Sequence, residues 1–204
     1  MKKLGLIFAV AFISLFCVHS AFAAVITNRT GTITITNPDG TVSIVGVNDP
    51  LPDIPSGAVI EILYGTIELA PSSGVFTIVA GNTTVTMTGG QKAKVGLDVS
   101  TGAASVTSIS GTIQTETAGV QASVPSGATA TISANPSTGT VTVSAQGGSV
   151  VVTNADGTTS VVTSGSTSTS SAATGSSIRT KTTTTGADDA TEEPSEPEQT
   201  DASE

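Results

Sequence analysis

Three observations predict an all-β protein of repeated β-hairpin modules: apolar residues alternate at period two, polar turns closed by glycine separate the runs, and one glycine-led strand keeps returning. The alternation is plain in Ile33 and Ile35, Val42 and Ile44, Ile67 and Leu69, Val85 and Met87, Val95 with Leu97 and Val99, Ile132 with Ala134, and Val141 with Val143. Threonine and serine fill the positions between them, as expected of half-buried strands rather than helices. The turns read "NPDG" to Gly40, "PSSG" to Gly74, "NPSTG" to Gly139 and "NADG" to Gly157. In each, Asn, Asp or Pro sets the bend and the last glycine can take the positive φ that bulged hairpin loops need.

The recurring strand is "GTITITNPDG" from Gly31, "GTIELAPSSG" from Gly65, "GTIQTETAG" from Gly111 and "GSVVVTNADG" from Gly148. Gly90 to Gly111 and Gly127 to Gly148 span equal steps, and "STG" falls in register at Ser100–Gly102 and Ser137–Gly139. A contracted copy, "SGAVIEILYGTIEL", starts at Ser56 and contains Gly57 but lacks the inner hairpin. The starts at 31, 65, 111 and 148 are unevenly spaced, whereas solenoid coils keep a fixed step. The expectation is therefore a β-sandwich or β-roll of stacked hairpins, with a β-solenoid as the alternative. The glycine of each copy is expected to turn a corner or to let two backbones approach closely.

The ends define the expected domain. Met1, Lys2 and Lys3 precede an apolar run from Leu4 to Val18 and the small residues Ala21 and Ala23, the pattern of a secretory signal peptide over 1–23. The run is shorter than the roughly 20 residues of a membrane-spanning helix. A two-lysine start and short apolar core point to a bacterial leader, and so to the periplasm, the cell surface or the medium. Residues 24–163 then form the all-β domain. From Ser164 the chain becomes Ser/Thr-rich and then acidic, "ADDATEEPSEPEQTDASE", a composition expected to stay disordered because it buries too little apolar surface.

Composition excludes several functions. The single cysteine and single histidine, Cys17 and His19, leave with the leader. No disulfide, thiolate nucleophile, histidine base or ordinary zinc site is then expected. Four of the five phenylalanines leave too, so only Tyr64 and Phe76 remain as aromatic side chains and stacking platforms for sugars or nucleic acid are not expected. Arg29, Lys92, Lys94, Arg179 and Lys181 face all the acidic residues, the opposite of a phosphate-backbone binder. Asp49 and Asp53 lack calcium-loop spacing and read as loop solvators. Asp98 with Lys92 and Lys94 reads as an exposed charge cluster, and Glu61 and Glu68 flank Tyr64 without the surround of a hydrolase. Neither a cofactor nor catalysis is expected. The threonine runs at Thr32, Thr34 and Thr36, at Thr84, Thr86 and Thr88, and at Thr140 and Thr142 read as wet strand faces.

The stretch "GTITITNPDGTVSIVGVNDPLPDIPSGAVIEILYGTIEL" resembles the FecR-like domain of bacterial periplasmic proteins: strand, "DG" turn, strand, a "G-D-x-L" type step and a following "SG" strand. The resemblance spans about Ile26 to Ser164 and rests mostly on turn glycines: Gly31, Gly40, Gly57, Gly65, Gly74, Gly90, Gly111, Gly127, Gly139, Gly148 and Gly157. Val47 and Asn48 interrupt the expected glycine–aspartate step. The resemblance implies an envelope module that binds a protein partner or small ligand, without the anti-sigma segment and spanning helix of transmembrane members. The alternative is a structural surface, matrix or adhesin-like β-repeat protein, for which self-association through open strand edges is open.

Overall fold

The computed structural model describes residues 23–171 with their side chains, and the backbone of 181–184. Residues 1–22 of the expected signal peptide, and most of the tail expected from Ser164 onward, lie outside the described residues. Within them the protein is all-β: β1 (Ala24–Thr36), β2 (Val42–Val45), β3 (Val59–Pro71), β4 (Val75–Ala80), β5 (Thr83–Thr88), β6 (Lys92–Asp98), β7 (Ala103–Ser110), β8 (Ile113–Thr117), β9 (Val120–Val124), β10 (Thr129–Asn135), β11 (Thr140–Gln146), β12 (Val150–Thr153), β13 (Thr159–Val162), β14 (Ser166–Ser171) and β15 (Lys181–Thr184).

These strands form one 15-stranded sheet that folds back on itself into two facing layers, a flattened and nearly closed barrel. The fold line is the long ribbon β1–β3. The first half of β3 pairs with β4 in parallel over Val59–Ile62, and its second half pairs with β6 antiparallel over Gly65–Leu69. One layer runs β2-β1-β3-β4-β5-β8-β9-β12-β13, and the other β1-β3-β6-β7-β10-β11-β14-β15. After the ribbon the chain lays hairpins alternately in the two layers, each hairpin pairing with the one before it in its own layer. The facing layers bring β7 against β9, β8 against β10 and β11 against β13.

The ribbon changes layer at two glycines directly opposite each other, Gly31 and Gly65, with φ of +90° and +92°. A Cβ on Gly31 would lie 2.0 Å from the Tyr64 carbonyl oxygen, and one on Gly65 2.1 Å from the Thr30 carbonyl oxygen. No side chain fits there, so both alternatives read from the sequence hold at once: the chain turns a corner and two backbones touch. Gly111 and Gly148 likewise stand where the chain passes from β7 to β8 and from β11 to β12. The recurring "G-T/S-I/V" segment thus marks a change of layer. All eleven turn glycines named above have positive φ.

The uneven step seen in the sequence conceals a regular one. Gly74, Gly111 and Gly148, where the chain passes from the second layer into the first, lie 37 residues apart. The starts of β6 and β10, Lys92 and Thr129, keep the same spacing, as do those of β7 and β11, Ala103 and Thr140. The main irregularity enters at the ribbon, where one long strand replaces two hairpin strands; a smaller one lies in the longer β12–β13 turn.

Between the layers lies one aliphatic core containing Ile33, Ile35, Ile60, Ile67, Leu69, Ile78, Met87, Val95, Ile113 and Ile132, with Phe76 its largest side chain. Ile54, 2 % exposed, closes the ribbon end from the loop after β2, where it bridges to Ala24. Three expectations need correction. Val42 and Ile44 point outward, 60 % and 71 % exposed, while Ser43 and Val45 point inward; β2 is an edge strand whose pairing with β1 sets its facing. Thr83, Thr115 and Thr117 face the core, where Thr117 Oγ1 donates to Thr83 Oγ1 at 2.8 Å and Thr115 Oγ1 to the Ala122 carbonyl at 3.2 Å. The regular structure also passes Thr163. In β14 the buried residues are Ser166, Ser168 and Ser170, so backbone pairing with β11 extends the sheet where apolar side chains have run out.

Candidate functional site

The acidic side chains serve the turns. The Thr41 hydroxyl and then its N–H donate to Asp39 Oδ1 at 2.7 and 2.9 Å, holding its carboxyl below the usual range. Asp156 is lowered in the same way by Thr158. Asp98 is lowered by the Ser100 hydroxyl and N–H and by the Thr101 hydroxyl. These are side-chain-closed turns. Asp98 therefore does not join Lys92 and Lys94 in one charge cluster. Lys92 Nζ instead meets Glu68 Oε1 at 2.7 Å across β3–β6, and together with Thr27 lowers the Glu68 carboxyl.

Asp49 Oδ2 accepts the Gly46 N–H at 2.8 Å, and Arg29 Nη2 donates to the Val47 and Asp49 carbonyls at 3.1 and 3.0 Å. The loop carrying Asp49 and Asp53 is therefore tied by backbone contacts. Among the described residues, no three His, Cys, Asp or Glu gather as a metal site. Glu61 and Glu68 fall on opposite sides of the Gly65 corner. Tyr64 Oη accepts from Thr32 Oγ1 at 3.1 Å. The threonines of β5 lie next to Glu116 and Gln114 of β8, which breaks any continuous threonine surface.

Two concavities stand out among the described residues. A trough of about 620 Å³ crosses the outside of the second layer and is lined by Thr66, Leu97, Asp98, Thr101, Ser105 and Thr131 among others. A cleft of about 250 Å³ separates the start of β1 from Leu51–Ile54. Asp98 is the one ionisable side chain of the trough, and its carboxylate is already occupied by its own turn.

The exposed polar backbone offers more. Among the described residues, β2 and β13, the outermost strands of the first layer, each have a single hydrogen-bonded neighbour, β1 and β12 respectively. Neither strand, "VSIV" or "TSVV", contains a charge or a proline. Their exposed faces carry Val42 and Ile44 at one end, and at the other Val161, 58 % exposed, beside Val151. The two end hairpins also match residue for residue: "TITITNPDGTVSIV" from Thr32 and "SVVVTNADGTTSVV" from Ser149. Ile33 pairs with Val45 as Val150 pairs with Val162, and Ile35 with Ser43 as Val152 with Ser160. Asn37 Nδ2 donates to Thr41 Oγ1 at 2.9 Å, as Asn154 Nδ2 does to Thr158 Oγ1 at 2.8 Å. The sequence contained this match in its two "N-x-D-G-T" turns; that both lead to free edges was not visible before the strands were ordered. No family model, curated protein or solved structure matches the chain.

Proposed function

We propose that this chain is an exported, non-catalytic β module of the bacterial envelope, of the kind FecR-like domains represent, that works by contact with a protein partner. The observation supporting this is the pair of open, uncharged edge strands, β2 and β13, at the two ends of one layer. Such edges present a row of unpaired N–H and C=O groups to which an extended strand can add, with alternate side chains giving specificity. A structural surface or matrix role is favoured by a separate observation, the likeness of the two end hairpins. The test is a photo-reactive side chain in place of Val161 or of Ile44 in the exported chain, with Thr86 as an off-edge control. A covalent protein adduct from an edge position and not from the control is expected. Adducts from neither edge would overturn the proposal.

A further inference from the structure

We infer that the molecule joins head to tail with further copies of its own chain, the free edge of β13 adding to the free edge of β2 in the next molecule. This rests on reading the chain as a contact module, and it names the partner.

Strand direction favours that joint. Every neighbouring pair in the first layer is antiparallel except β3–β4, and that one parallel pair leaves β2 and β13 running in opposite directions. A second copy placed beyond β13 therefore meets it with an antiparallel β2. In the second layer β15 likewise runs opposite to β1, but the start of β1 is already bridged by Ile54 of its own loop, so the joint is made in the first layer. The residues at the joint resemble those inside the fold: the incoming β2–β1 hairpin has the pattern of β13–β12, with Val45 and Val162 facing the core and Ile44 and Val161 facing out.

Edge strands are ordinarily guarded by a charge, a proline or a bulge, and none guards these two. Charges lie where antiparallel joining tolerates them. The acidic turns of Asp39 and Asp156 precede β2 and β13, so they fall at opposite ends of the joint. Across the joint Asp156 would fall by the next copy's loop held by Arg29, whose Nη1 is buried without a hydrogen-bond partner among the described residues. The Ser160 hydroxyl of β13 is also buried and unpartnered among the described residues, on the side where Ser43 of the next copy would arrive.

Two different edges make a heterologous joint, and each copy added restores the same free ends, so the product is an open linear array. Strands of four residues make a small contact, at the weak end of specific interfaces, so growth should follow concentration. Sedimentation velocity on the full secreted chain tests this. Wild type is expected to grow past a dimer as concentration rises, while Ile44→Lys and Val161→Lys each stay monomeric. An equimolar mixture of the two variants retains one intact joint and is expected to stop at a dimer. Val42→Lys and Thr159→Lys, also at exposed positions, replace either variant that fails to fold by circular dichroism. A wild type that stays monomeric, one that stops at a dimer, or a single variant that assembles like wild type overturns the inference. A monomeric wild type whose photo-reactive Val161 position still links a different envelope protein would leave the contact reading standing, whereas the loss of both results removes the two together.

Discussion

At the scale of single residues, the corner glycines are the least replaceable positions. Gly65→Ala forces a side chain onto a carbonyl oxygen 2.1 Å away at φ +92°, where backbone strain alone costs about 1–3 kcal/mol. Gly40→Ala keeps a similar φ, but its Cβ meets nothing within 4 Å. Thermal denaturation is expected to show a much larger fall in Tm for Gly65→Ala than for Gly40→Ala; equal falls would mean that the corner is not held by that contact. The first described residue carries a second prediction. The Ala23 carbonyl accepts from the Ser72 and Ser73 N–H groups, and its N–H donates to Ile54. A chain that lacks Ala23 loses these bonds, each worth about 1 kcal/mol net. A chain beginning at Ala23 should therefore unfold at higher denaturant than one beginning at Ala24.

Asp39, Asp98 and Asp156, together with Glu68, are expected to make stability sensitive to acid at the same scale. Their folded-state carboxyls lie below the ordinary values, so their stabilisation is complete above those values and is lost as pH falls through the lowered ones. Stability should be level near neutrality and decline below a pH of about 4. Asp156→Asn keeps a turn acceptor but does not titrate, and should flatten that decline in urea titrations across pH. An unchanged slope would remove Asp156 from the account.

At the scale of elements, each strand is held by its inward residues and its neighbours. The pair β4–β5 places Phe76, Ile78, Val85 and Met87 in the core, each at 0 % exposure. Ile78→Ala should cost about 2–5 kcal/mol, the range for large-to-small changes in a packed core. The buried threonines behave differently, because Thr117 and Thr83 satisfy each other. Removing one hydroxyl leaves its partner buried and unpaired, so Thr117→Val and Thr83→Val should each destabilise, and the double variant should cost less than the sum of the two single changes. A double-mutant cycle measures that coupling.

At the scale of the whole molecule, the 37-residue period is a unit of construction. Each unit adds one hairpin to each layer, and hairpins pair mainly with near neighbours, as in repeat proteins. Deleting residues 90–126, which hold β6 to β9, brings β10 to the β3 edge and β12 to the β5 edge. The shortened chain should fold cooperatively with lower stability. Deleting only residues 90–110, one hairpin of the pair, sends every later hairpin to the wrong layer and should abolish cooperative unfolding by circular dichroism. A shortened chain that fails in both cases would mean that the period is not a unit of folding.

The sequence alone carries the strands and the turns, because period-two alternation and "N-x-D-G" or "S-T-G" chemistry act over a few residues. It also showed the inner core at Ile33, Ile35, Val85, Met87, Val141 and Val143, where one face is plainly apolar. Only the tertiary structure decided which side of β2 is inward, that Thr83, Thr115 and Thr117 lie in the core, and that β14 continues the sheet with serines. Each of these depends on the pairing partner across the sheet, and register is a long-range property that local composition does not encode. The same holds for the edges of β2 and β13. Two matching hairpins are legible as a repeat, but whether their outer strands are covered depends on the order of all fifteen strands.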